Sequence, residues 1–463
     1  MYKYIVNCAV LLACLCGVNT VYATPTASLH QNMAVLIVGG GGREHAMAWK
    51  IANSPWKPRV FVAPGNAGTA LEPRVQNVNI KANDIEALKQ FALEQQIDLT
   101  IVGPEQPLAS GIVDTFNAAG LHCFGPTRAA ARLESSKIFS KEFMQRHKIP
   151  TARYASFSDF EAAKSYVQKH GTPIVIKADG LASGKGVVVA HSEQEALDFL
   201  KSLLIDGAHN NAGKKVLIEE YLQGEELSYI VASDGTHIIS LDTSQDHKQL
   251  YAHDKGPNTG GMGAYSPVNI VTPKINKIIM KTIVEPTIRG MATEKTPYTG
   301  FLYIGLMMTK DGPKVLEYNC RLGDPEAQAL LLRLKSDLLE LCSSTVNKSL
   351  NHMSLQWDKR SAICVVIAST HYPNSSTEKT VLSIQPSIAC EDCKIFHSST
   401  KQQGEAFIAD SGRILSVGSL GTTLGEAQAK AYAEIQQNMW SKVQYRADIG
   451  YRELEREEHM FQL

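Results

Sequence analysis

The chain has 463 residues, which is too long for one hydrophobic core and predicts about two to four domains. Its 46 basic and 46 acidic residues leave no net charge, which disfavours nucleic acid as a partner. A content of 44% hydrophobic and 20% charged residues is that of an ordinary soluble enzyme.

Residues 1–32 have the pattern of a secretory signal peptide. Lys3 precedes an apolar run at residues 5–18, and residues 21–23 are similar to a cleavage site. The run is too short to predict a membrane span, and no stable membrane association is expected. The alternative is that translation starts at Met33, because Ala34 begins the first predicted strand directly.

Cys390 and Cys393 form a C-x-x-C sequence. The second cysteine pair or the histidines that a zinc site requires are missing. We interpret it as a chance pair in a loop and expect reduced thiols, as in a reducing compartment.

Residues 33–135 predict a Rossmann-like domain with a doubly wound parallel sheet. Strands are expected at residues 35–38, 60–63 and 99–102, and helices at 43–53 and 84–95. Ligands bind such sheets at the carboxyl ends of the strands. Three of these ends are rich in Gly and Pro, at residues 39–45, 64–68 and 103–105.

A dinucleotide site is disfavoured at the first of these turns. Gly39 and Gly41 begin a G-x-G-x-x-G pattern, but Glu44 stands at the third glycine position. The acidic ribose ligand expected after the second strand is also missing. Backbone N–H groups before a helix still suit a phosphate ester; the alternative is a tight turn that binds nothing.

Residues 136–355 predict a second domain, with helices at 136–147 and 158–170 and a flap subdomain at about 155–222. Residues 174–189 have the pattern of a strand, a glycine-rich turn and a strand. Lys177 lies on the first strand and Lys185 on the turn, as expected of a flap that covers a nucleotide triphosphate. Lys177 would hold phosphate throughout, and Lys185 would engage when the flap closes.

A Walker A loop does not fit this segment. Only three residues separate Gly180 from Gly184, whereas Walker A needs four. Gly186 follows the lysine, and a β-branched run replaces the helix.

The strand predicted at residues 216–222 ends in a possible adenine-binding edge formed by Glu219, Glu220, Tyr221 and Leu222. Adjacent strand residues point to opposite faces, so at most one of the two glutamates reaches the base. Glu226, after the next glycine turn, could accept hydrogen bonds from ribose. The alternative is an acidic strand end in solvent.

Strands at residues 299–308 and 315–319 place Glu317 and Asn319 on one face. A carboxylate and an amide oxygen suit Mg²⁺ that is also held by substrate phosphates. Arg321 would lie on the same face if the strand continues, ready to hold an anion in bidentate fashion. The alternative is a surface strand with scattered polar groups.

Residues 256–267 are rich in Gly, Asn and Thr and predict an irregular loop that closes around a small ligand. His247 could act as a base, but no Ser or Cys nucleophile stands in a recognisable motif. Residues 356–463 predict a small α+β domain with strands at 362–368 and 413–418 and a helix at 424–439.

Seven motifs then follow one another in a characteristic order. They are Gly-Gly-Arg-Glu-His-Ala at 41–46, Ala-Pro-Gly-Asn-Ala-Gly-Thr at 63–69, Val-Gly-Pro-Glu at 102–105, Ile-Lys-Ala-Asp-Gly-Leu at 176–181, Ser-Gln-Asp-His-Lys at 244–248, Gly-Pro-Asn-Thr-Gly-Gly-Met-Gly at 256–263 and Asn-Cys-Arg-Leu-Gly-Asp-Pro-Glu at 319–326. From residue 33 to about 452 the chain resembles the phosphoribosylamine–glycine ligase family of the ATP-grasp superfamily. Departures from the family pattern are mostly C-terminal, at residues 327–329, 370–373 and 399–401.

The resemblance implies that glycine, 5-phosphoribosylamine and ATP react through glycyl phosphate, with Mg²⁺ or Mn²⁺, in purine biosynthesis. It implies catalytic roles for Lys177, Arg321 and Asp324 and metal ligation by Glu317 and Asn319. The implied ATP-binding residues are Lys137, Lys177, Gly184, Lys185, Gly186, Glu219, Glu220, Tyr221, Leu222 and Glu226. The implied substrate-binding residues are Gly41, Gly42, Arg43, Gly65, Asn66, Gly103, Pro104, Glu105, Asp246, Asn258, Thr259, Gly260, Gly261, Arg321, Gly323 and Asp324.

Two alternatives stay open at this point: another ATP-grasp carboxylate–amine ligase, or an exported, non-catalytic protein that binds a nucleotide or a sugar phosphate. The implied chemistry needs ATP and a labile amino sugar made inside the cell, so a cytoplasmic location is expected. The protein is also expected to be a monomer.

Overall fold

The computed structural model describes residues 29–181, 186–207, 214–374, 376–382, 390–404, 406–409, 412–438 and 441–461. Residues 1–28 of the predicted leader, Gly184 and Lys185 lie outside these ranges. Among the described residues, no helix is both long enough and apolar enough to cross a membrane.

The N-terminal part is a five-stranded parallel sheet in the order β3-β2-β1-β4-β5. Its strands are β1 (Ala34–Gly39), β2 (Arg59–Pro64), β3 (Val75–Asn77), β4 (Leu99–Val102) and β5 (Cys123–Phe124). Every residue of β1 is buried, as expected of a strand covered on both faces. The predicted doubly wound sheet is confirmed.

Helices cover this sheet and lead into the next part of the chain. They are α1 (Gly42–Ala52), α2 (Ile85–Glu94), α3 (Glu105–Ser110), α4 (Ile112–Ala118), α5 (Arg132–Ser135) and α6 (Lys137–Arg146). Helices α2 and α6 begin where the side chains of Asp84 and Ser136 accept a hydrogen bond from the first turn. The predicted helices 43–53, 84–95 and 136–147 therefore agree to within one residue at each end.

A four-stranded antiparallel sheet, the flap sheet, has the order β6-β9-β7-β8. Its strands are β6 (Tyr154–Phe157), β7 (Ile174–Ala178), β8 (Val187–Ala190) and β9 (Val216–Glu220), and helices α7 (Phe160–His170) and α8 (Glu193–Leu204) pack on one face. Strand β9 ends at Glu220, two residues before the predicted end. Tyr221 and Leu222 therefore belong to the connection to the next strand.

A second antiparallel sheet, the central sheet, has the order β11-β10-β16-β17. Its strands are β10 (Glu225–Asp234), β11 (Ile238–Ser240), β16 (Thr299–Thr309) and β17 (Gly312–Asn319). The register shifts opposite Gly305 and Leu306, so Leu316 is an extra residue in β17. Such a bulge redirects the neighbouring side chains, here next to Glu317. Because β17 ends at Asn319, the condition under which Arg321 would lie on its face is not met.

The C-terminal sheet has the order β12-β15-β18-β23-β20, and β24 pairs with β18. A three-stranded sheet, β19-β22-β21, and a two-stranded sheet, β13-β14, also occur in this part of the chain. The strands are β12 (Gln245–Asp246), β13 (Gln249–Tyr251), β14 (Lys255–Asn258), β15 (Gly263–Ser266), β18 (Ser361–Ser369), β19 (Thr380–Leu382), β20 (Cys393–His397), β21 (Thr400–Gln403), β22 (Ala406–Ala409), β23 (Arg413–Gly421) and β24 (Val443–Tyr445). The remaining helical segments are α9 (Pro273–Ile279), a π-helical turn (Met280–Val284), α10 (Glu285–Thr293), α11 (Glu326–Arg333), α12 (Leu338–Val346), α13 (Leu424–Asn438) and α14 (Tyr451–Phe461).

Two predictions are wrong here. The segment 256–267 is not wholly irregular, since β14 pairs with β13 and β15 pairs with β12 and β18. A Cβ on Gly263 would lie 2.7 Å from the carbonyl oxygen of Cys364, so glycine permits this close strand pairing. Cys390 and Cys393 are joined by a disulfide rather than reduced, whereas Cys123, Cys320, Cys342 and Cys364 are free and buried.

Candidate functional site

A cavity of about 550 Å³ lies between the flap sheet and the central sheet, with walls also from the N-terminal and C-terminal sheets. It brings together predicted residues that are up to 281 positions apart in sequence, such as Arg43 and Asp324. The predicted residues that line it are Arg43, Pro104, Glu105, Lys137, Lys177, Gly186, Glu219, Glu220, Tyr221, Leu222, Glu226, Asp246, Asn258, Thr259, Gly260, Glu317, Asn319, Arg321, Gly323 and Asp324.

A cluster of lysines forms one wall of the cavity. Lys177 Nζ lies 3.0 Å from Glu219 Oε1, and Lys141 Nζ lies 3.1 Å from Glu219 Oε2. Lys137 donates from Nζ to the carbonyl of Gly180 at 2.9 Å. Burial lowers the pKa of Lys141 to about 8, against the opposing effect of Glu219. Glu219 pairs with two of these lysines, whereas Lys137 contacts a carbonyl, so this wall can still bind anions such as phosphates.

Glu317 and Asn319 lie side by side. The side-chain Nδ2 of Asn319 is 3.4 Å from Glu317 Oε1. Burial alone would raise the pKa of Glu317, but the charges of Lys248, Lys177 and Lys137 lower it to about 2. The carboxylate is therefore ionised at neutral pH. No cluster of three or more His, Cys, Asp or Glu with metal-binding geometry occurs among the described residues. Two hard oxygen ligands next to a phosphate-binding wall still fit Mg²⁺ or Mn²⁺, which takes its other ligands from phosphate and water.

Lys248 was not singled out by the sequence, although it lies in the 244–248 motif. Its Nζ is 3.0 Å from Glu226 Oε1 and 3.8 Å from Glu317 Oε1. The ammonium group thus connects the proposed ribose ligand to the proposed metal ligand. The motif at 244–248 was the only sequence feature that could have identified Lys248. Its pairing with two carboxylates depends on the tertiary fold and could not be predicted locally.

The two adjacent glutamates of β9 do point to opposite faces. Glu219 is buried against the lysines, whereas Glu220 pairs with Arg153 at 2.7 Å, and the Arg153 side chain is 87% exposed. Tyr221 is partly exposed and Leu222 is buried at the cavity wall. The Glu220 amide donates to the Arg153 carbonyl at 3.0 Å, so the backbone of Tyr221 and Leu222, beyond the end of β9, is the part of this edge that could meet a base.

Arg321 lies between two carboxylates. Its Nε is 3.2 Å from Glu105 Oε2, and its Nη2 is 3.2 Å from Glu134 Oε1. Glu134 also accepts a 2.6 Å hydrogen bond from the Cys320 amide. Burial raises the pKa of Glu134 to about 7, even though Arg321 acts in the opposite direction. Glu134 lies outside every motif, so it was not predicted.

The amino end of α1 adjoins the same cavity. Asp324 Oδ2 is 3.5 Å from the Arg43 amide, and Asp324 Oδ1 is 3.5 Å from Arg413 Nη1. Burial alone would raise the pKa of Asp324, but Arg413 and Arg43, with a hydrogen bond from Gln328, lower it. Arg413, which was also missed, comes from the C-terminal sheet.

Several predicted residues support this region without lining the cavity: Gly41, Gly42, Gly65, Asn66, Gly103 and Gly261. The Glu44 side chain caps α1 by accepting from the Gly41 amide at 2.6 Å and fills the space beside Gly103. The Asn66 amide donates to the carbonyls of Gly40 at 3.0 Å and His397 at 2.8 Å. Asn66 therefore ties the glycine turns to the C-terminal sheet.

His247 is not placed to act as a base. Its ring is buried, Nδ1 contacts the carbonyl of Gly263 at 3.2 Å, and Nε2 accepts from the Gly450 amide at 3.0 Å. Burial lowers its pKa to about 3. The neighbouring Asp246 carboxylate does line the cavity, and burial raises its pKa well above the usual value.

Comparison with known proteins gives a consistent result over almost the whole chain. The sequence matches the family models described as phosphoribosylglycinamide synthetase N domain (residues 33–134), ATP-grasp (A) domain (135–327) and C domain (362–452). It is 52% identical over 427 residues to phosphoribosylamine–glycine ligase of Vibrio vulnificus strain YJ016, covering 92% of this chain and all of the relative. The Escherichia coli K12 enzyme of that name is 52% identical over 429 residues, with the same coverage.

Solved structures agree with these matches. The crystal structure of phosphoribosylamine–glycine ligase from Thermotoga maritima superposes with a TM-score of 0.79 at 31% identity, covering 90% of this chain and all of the other. A biotin carboxylase domain from Hydrogenobacter thermophilus superposes with a TM-score of 0.69 at 16% identity, covering 90% of this chain and 92% of the other, which shows a shared fold.

Proposed function

The chain belongs to the phosphoribosylamine–glycine ligase family, and from this premise we propose that its cavity joins glycine to 5-phosphoribosylamine with the use of ATP. The products are glycinamide ribonucleotide, ADP and phosphate, in purine biosynthesis. The observation that carries the proposal is that one cavity holds a lysine wall, the Glu317–Asn319 pair and Arg43 at the amino end of α1. Binding ATP, an acyl phosphate and a sugar phosphate in one site requires positive charge and a metal ion, which these three features can provide.

In the first step an oxygen of the glycine carboxylate attacks the γ-phosphorus of ATP. The bond from that phosphorus to the β–γ bridging oxygen breaks, which releases ADP and leaves glycyl phosphate. Lys137 and Lys177 stabilise the negative charge of the transferring group. Glu317 and Asn319 would hold Mg²⁺ or Mn²⁺, which neutralises phosphate charge when bound.

In the second step the amino nitrogen of the ribosylamine attacks the acyl carbon of glycyl phosphate. The bond between that carbon and the phosphate oxygen breaks, and phosphate leaves. The nitrogen loses a proton, which the departing phosphate can accept, so the step needs no protein base. Asp324 and the segment at Asn258–Gly260 are positioned to orient the amine and the glycine.

The test is the substrate dependence of ADP release by the purified protein. The substrate 5-phosphoribosylamine, called ribosylamine below, is formed in the assay mixture from ribose 5-phosphate and ammonia. Glycine or ribosylamine is omitted in turn. We expect sustained ADP release only with both substrates, and a product with the mass of glycinamide ribonucleotide. Sustained release without either substrate would indicate a different ATP-grasp ligase, and no release under any condition would favour a binding protein.

The proposed location is the cytoplasm, because ATP and a labile amino sugar are available there. The protein is also proposed to act as a monomer. N-terminal sequencing of the protein from its native cell tests whether residues 1–32 are present, and light scattering tests the oligomeric state.

A further inference from the structure

Three arginines line the cavity, and they differ in how many of their N–H groups are already used. Arg321 contacts Glu105 from Nε, the carbonyl of Leu322 from Nη1 and Glu134 from Nη2, so each nitrogen has a partner. Arg43 donates from Nε to Glu44 and from Nη1 to the carbonyl of Leu322. Arg413 uses Nη1 alone, toward the carbonyls of Gly260 and Asp324.

The unpaired edge of the Arg413 guanidinium group has a geometry that can bind an anion. Its Nε and Nη2 contact no acceptor among the described residues, and these two nitrogens form the side-on fork that matches two oxygens of a phosphate. The side chain is 23% exposed and lines the cavity, so a ligand in the cavity can reach it. With Nη1 fixed by two carbonyls, the guanidinium plane is held in place before a ligand arrives.

The fold explains how the C-terminal sheet delivers this side chain. Arg413 is the first residue of β23, and the register of β23 with β18 shifts between Ile367 and Ala368, which leaves Ile414 as an extra residue. The bulge turns Arg413 away from the sheet, toward Gly260 and Asp324.

The surroundings of Arg413 indicate which anion it binds. The lysine wall belongs to the flap side of the cavity, whereas Arg413 lies beside the amino end of α1, where the Arg43 amide is 3.5 Å from Asp324. Helix α1 has 11 residues, and a helix amino end favours anions. Arg43 Nη2 also has no acceptor among the described residues. Arg413 and the amino end of α1 therefore both lie beside the Asp324 carboxylate, and the charge of Arg43 acts on the same carboxylate.

We propose that Arg413 binds the 5-phosphate of the ribosylamine substrate, together with Arg43 and the amino end of α1. This inference rests on the proposed function and adds a ligand from the C-terminal sheet. A phosphate monoester dianion with three terminal oxygens uses all of these donors, whereas a glycine carboxylate has only two oxygens. The C-terminal sheet thus takes part in substrate recognition.

The binding experiment uses ribose 5-phosphate as a stable probe and ribose as its phosphate-free counterpart. Arg413→Lys keeps the positive charge and loses the fork, so calorimetry should show ribose 5-phosphate binding weakened by about 10-fold or more, with ribose binding unchanged. Arg360→Lys is the matched control, because Arg360 lies in the C-terminal part but pairs with Asp358 and Asp392. Equal ribose 5-phosphate affinity in the wild type and Arg413→Lys would overturn the proposal.

Steady-state kinetics separate phosphate binding from a purely structural role. The KM for ribosylamine should rise by about 10-fold or more in Arg413→Lys, while the KM values for ATP and glycine stay within about two-fold. A rise in the KM for glycine alone would assign Arg413 to the glycine carboxylate and overturn the proposal, as would equal changes for all three substrates. If the wild type makes no glycinamide ribonucleotide, the proposed function fails; if it does and Arg413→Lys matches it, only this inference fails.

A measurement on the unmodified sequence covers the case in which the variant does not fold. Phenylglyoxal modifies accessible arginine side chains, and mass spectrometry reports the extent at each one. Ribose 5-phosphate should protect Arg413 from modification, and ribose should not. Equal modification of Arg413 with and without ribose 5-phosphate contradicts the proposal.

Discussion

Lys177 Nζ and Glu219 Oε1 lie 3.0 Å apart on neighbouring strands of the flap sheet, and both side chains are almost completely buried. In the register of β7 and β9, Lys177 is opposite Leu217, so the pair is diagonal and within reach of a long side chain. Lys141 approaches Glu219 from α6. Glu219 is therefore the carboxylate that allows these lysines to be buried next to each other.

Replacing Glu219 should destabilise the protein much more than replacing its neighbour. Glu219→Gln leaves two buried ammonium groups without a counter-ion, which costs about 3–5 kcal/mol. Glu220→Gln removes an exposed pair with Arg153 and should cost at most about 1 kcal/mol. Urea unfolding of the two variants measures the difference. Equal loss of unfolding free energy in the two variants would show that the Glu219 ion pairs contribute little.

The sequence predicted part of this arrangement. The alternation along β9 correctly placed Glu219 and Glu220 on opposite faces. It did not show which face meets the lysines, because that depends on the position of β9 between β6 and β7 and on α6, which lies more than 70 residues earlier. The alternation of residues along a strand predicts the face on which each side chain lies. The residues that contact that face depend on the tertiary structure.

Glu317→Gln should weaken the use of a divalent metal ion. The carboxylate has a pKa of about 2 and is charged at every working pH, so its replacement by an amide removes a full negative charge. We expect the Mg²⁺ concentration for half-maximal ADP release to rise at least about 10-fold. Removal of the metal with EDTA should abolish ADP release by the wild type. Glu294→Gln, at a peripheral ion pair with Arg146, is the control and should behave like the wild type.

Buried neutral histidines should make the protein less stable as the pH drops below about 6.5. They bind protons more weakly in the folded state than in the unfolded state. Burial lowers the pKa of His247 and His397 to about 3 and also lowers the pKa of His45. Unfolded histidines bind protons below about 6.5, and the folded His247 and His397 do not, so these two give a slope of up to about 3 kcal/mol per pH unit, and His45 acts in the same direction.

Urea midpoints between pH 5 and 7.5 measure the net slope, which Glu134 and Asp246 oppose because their pKa values are raised in the folded state. His397→Gln removes one histidine, so its slope should be smaller than that of the wild type by up to about 1.4 kcal/mol per pH unit. His371→Gln, an exposed surface pair with Glu378, should leave the slope unchanged. Equal slopes in His397→Gln and the wild type would contradict the assignment of a neutral buried His397.

Residues that the sequence did not reveal reach the cavity from distant parts of the chain. Glu134 and Arg413 meet their partners Arg321 and Asp324 across 187 and 89 positions. Neither belongs to a motif, and a lone Glu or Arg carries no local signal. The strand β15 was hidden for a related reason: its glycines predict a loop, and pairing with β18 overrides that preference.

Glu134→Gln should remove a pH-dependent limb of the activity. Burial, opposed by Arg321, raises the pKa of Glu134 to about 7, so the carboxyl loses its charge as the pH falls through 7. Arg321 then loses one of its two carboxylate partners, and kcat/KM for the wild type should fall between pH 8 and 6. The glutamine keeps an acceptor for the Cys320 amide but is uncharged throughout, so its kcat/KM should be lower and flat over that range. Glu294→Gln, far from the cavity, should keep the wild-type limb. A Glu134→Gln profile that still falls below pH 7 would assign the limb to another group.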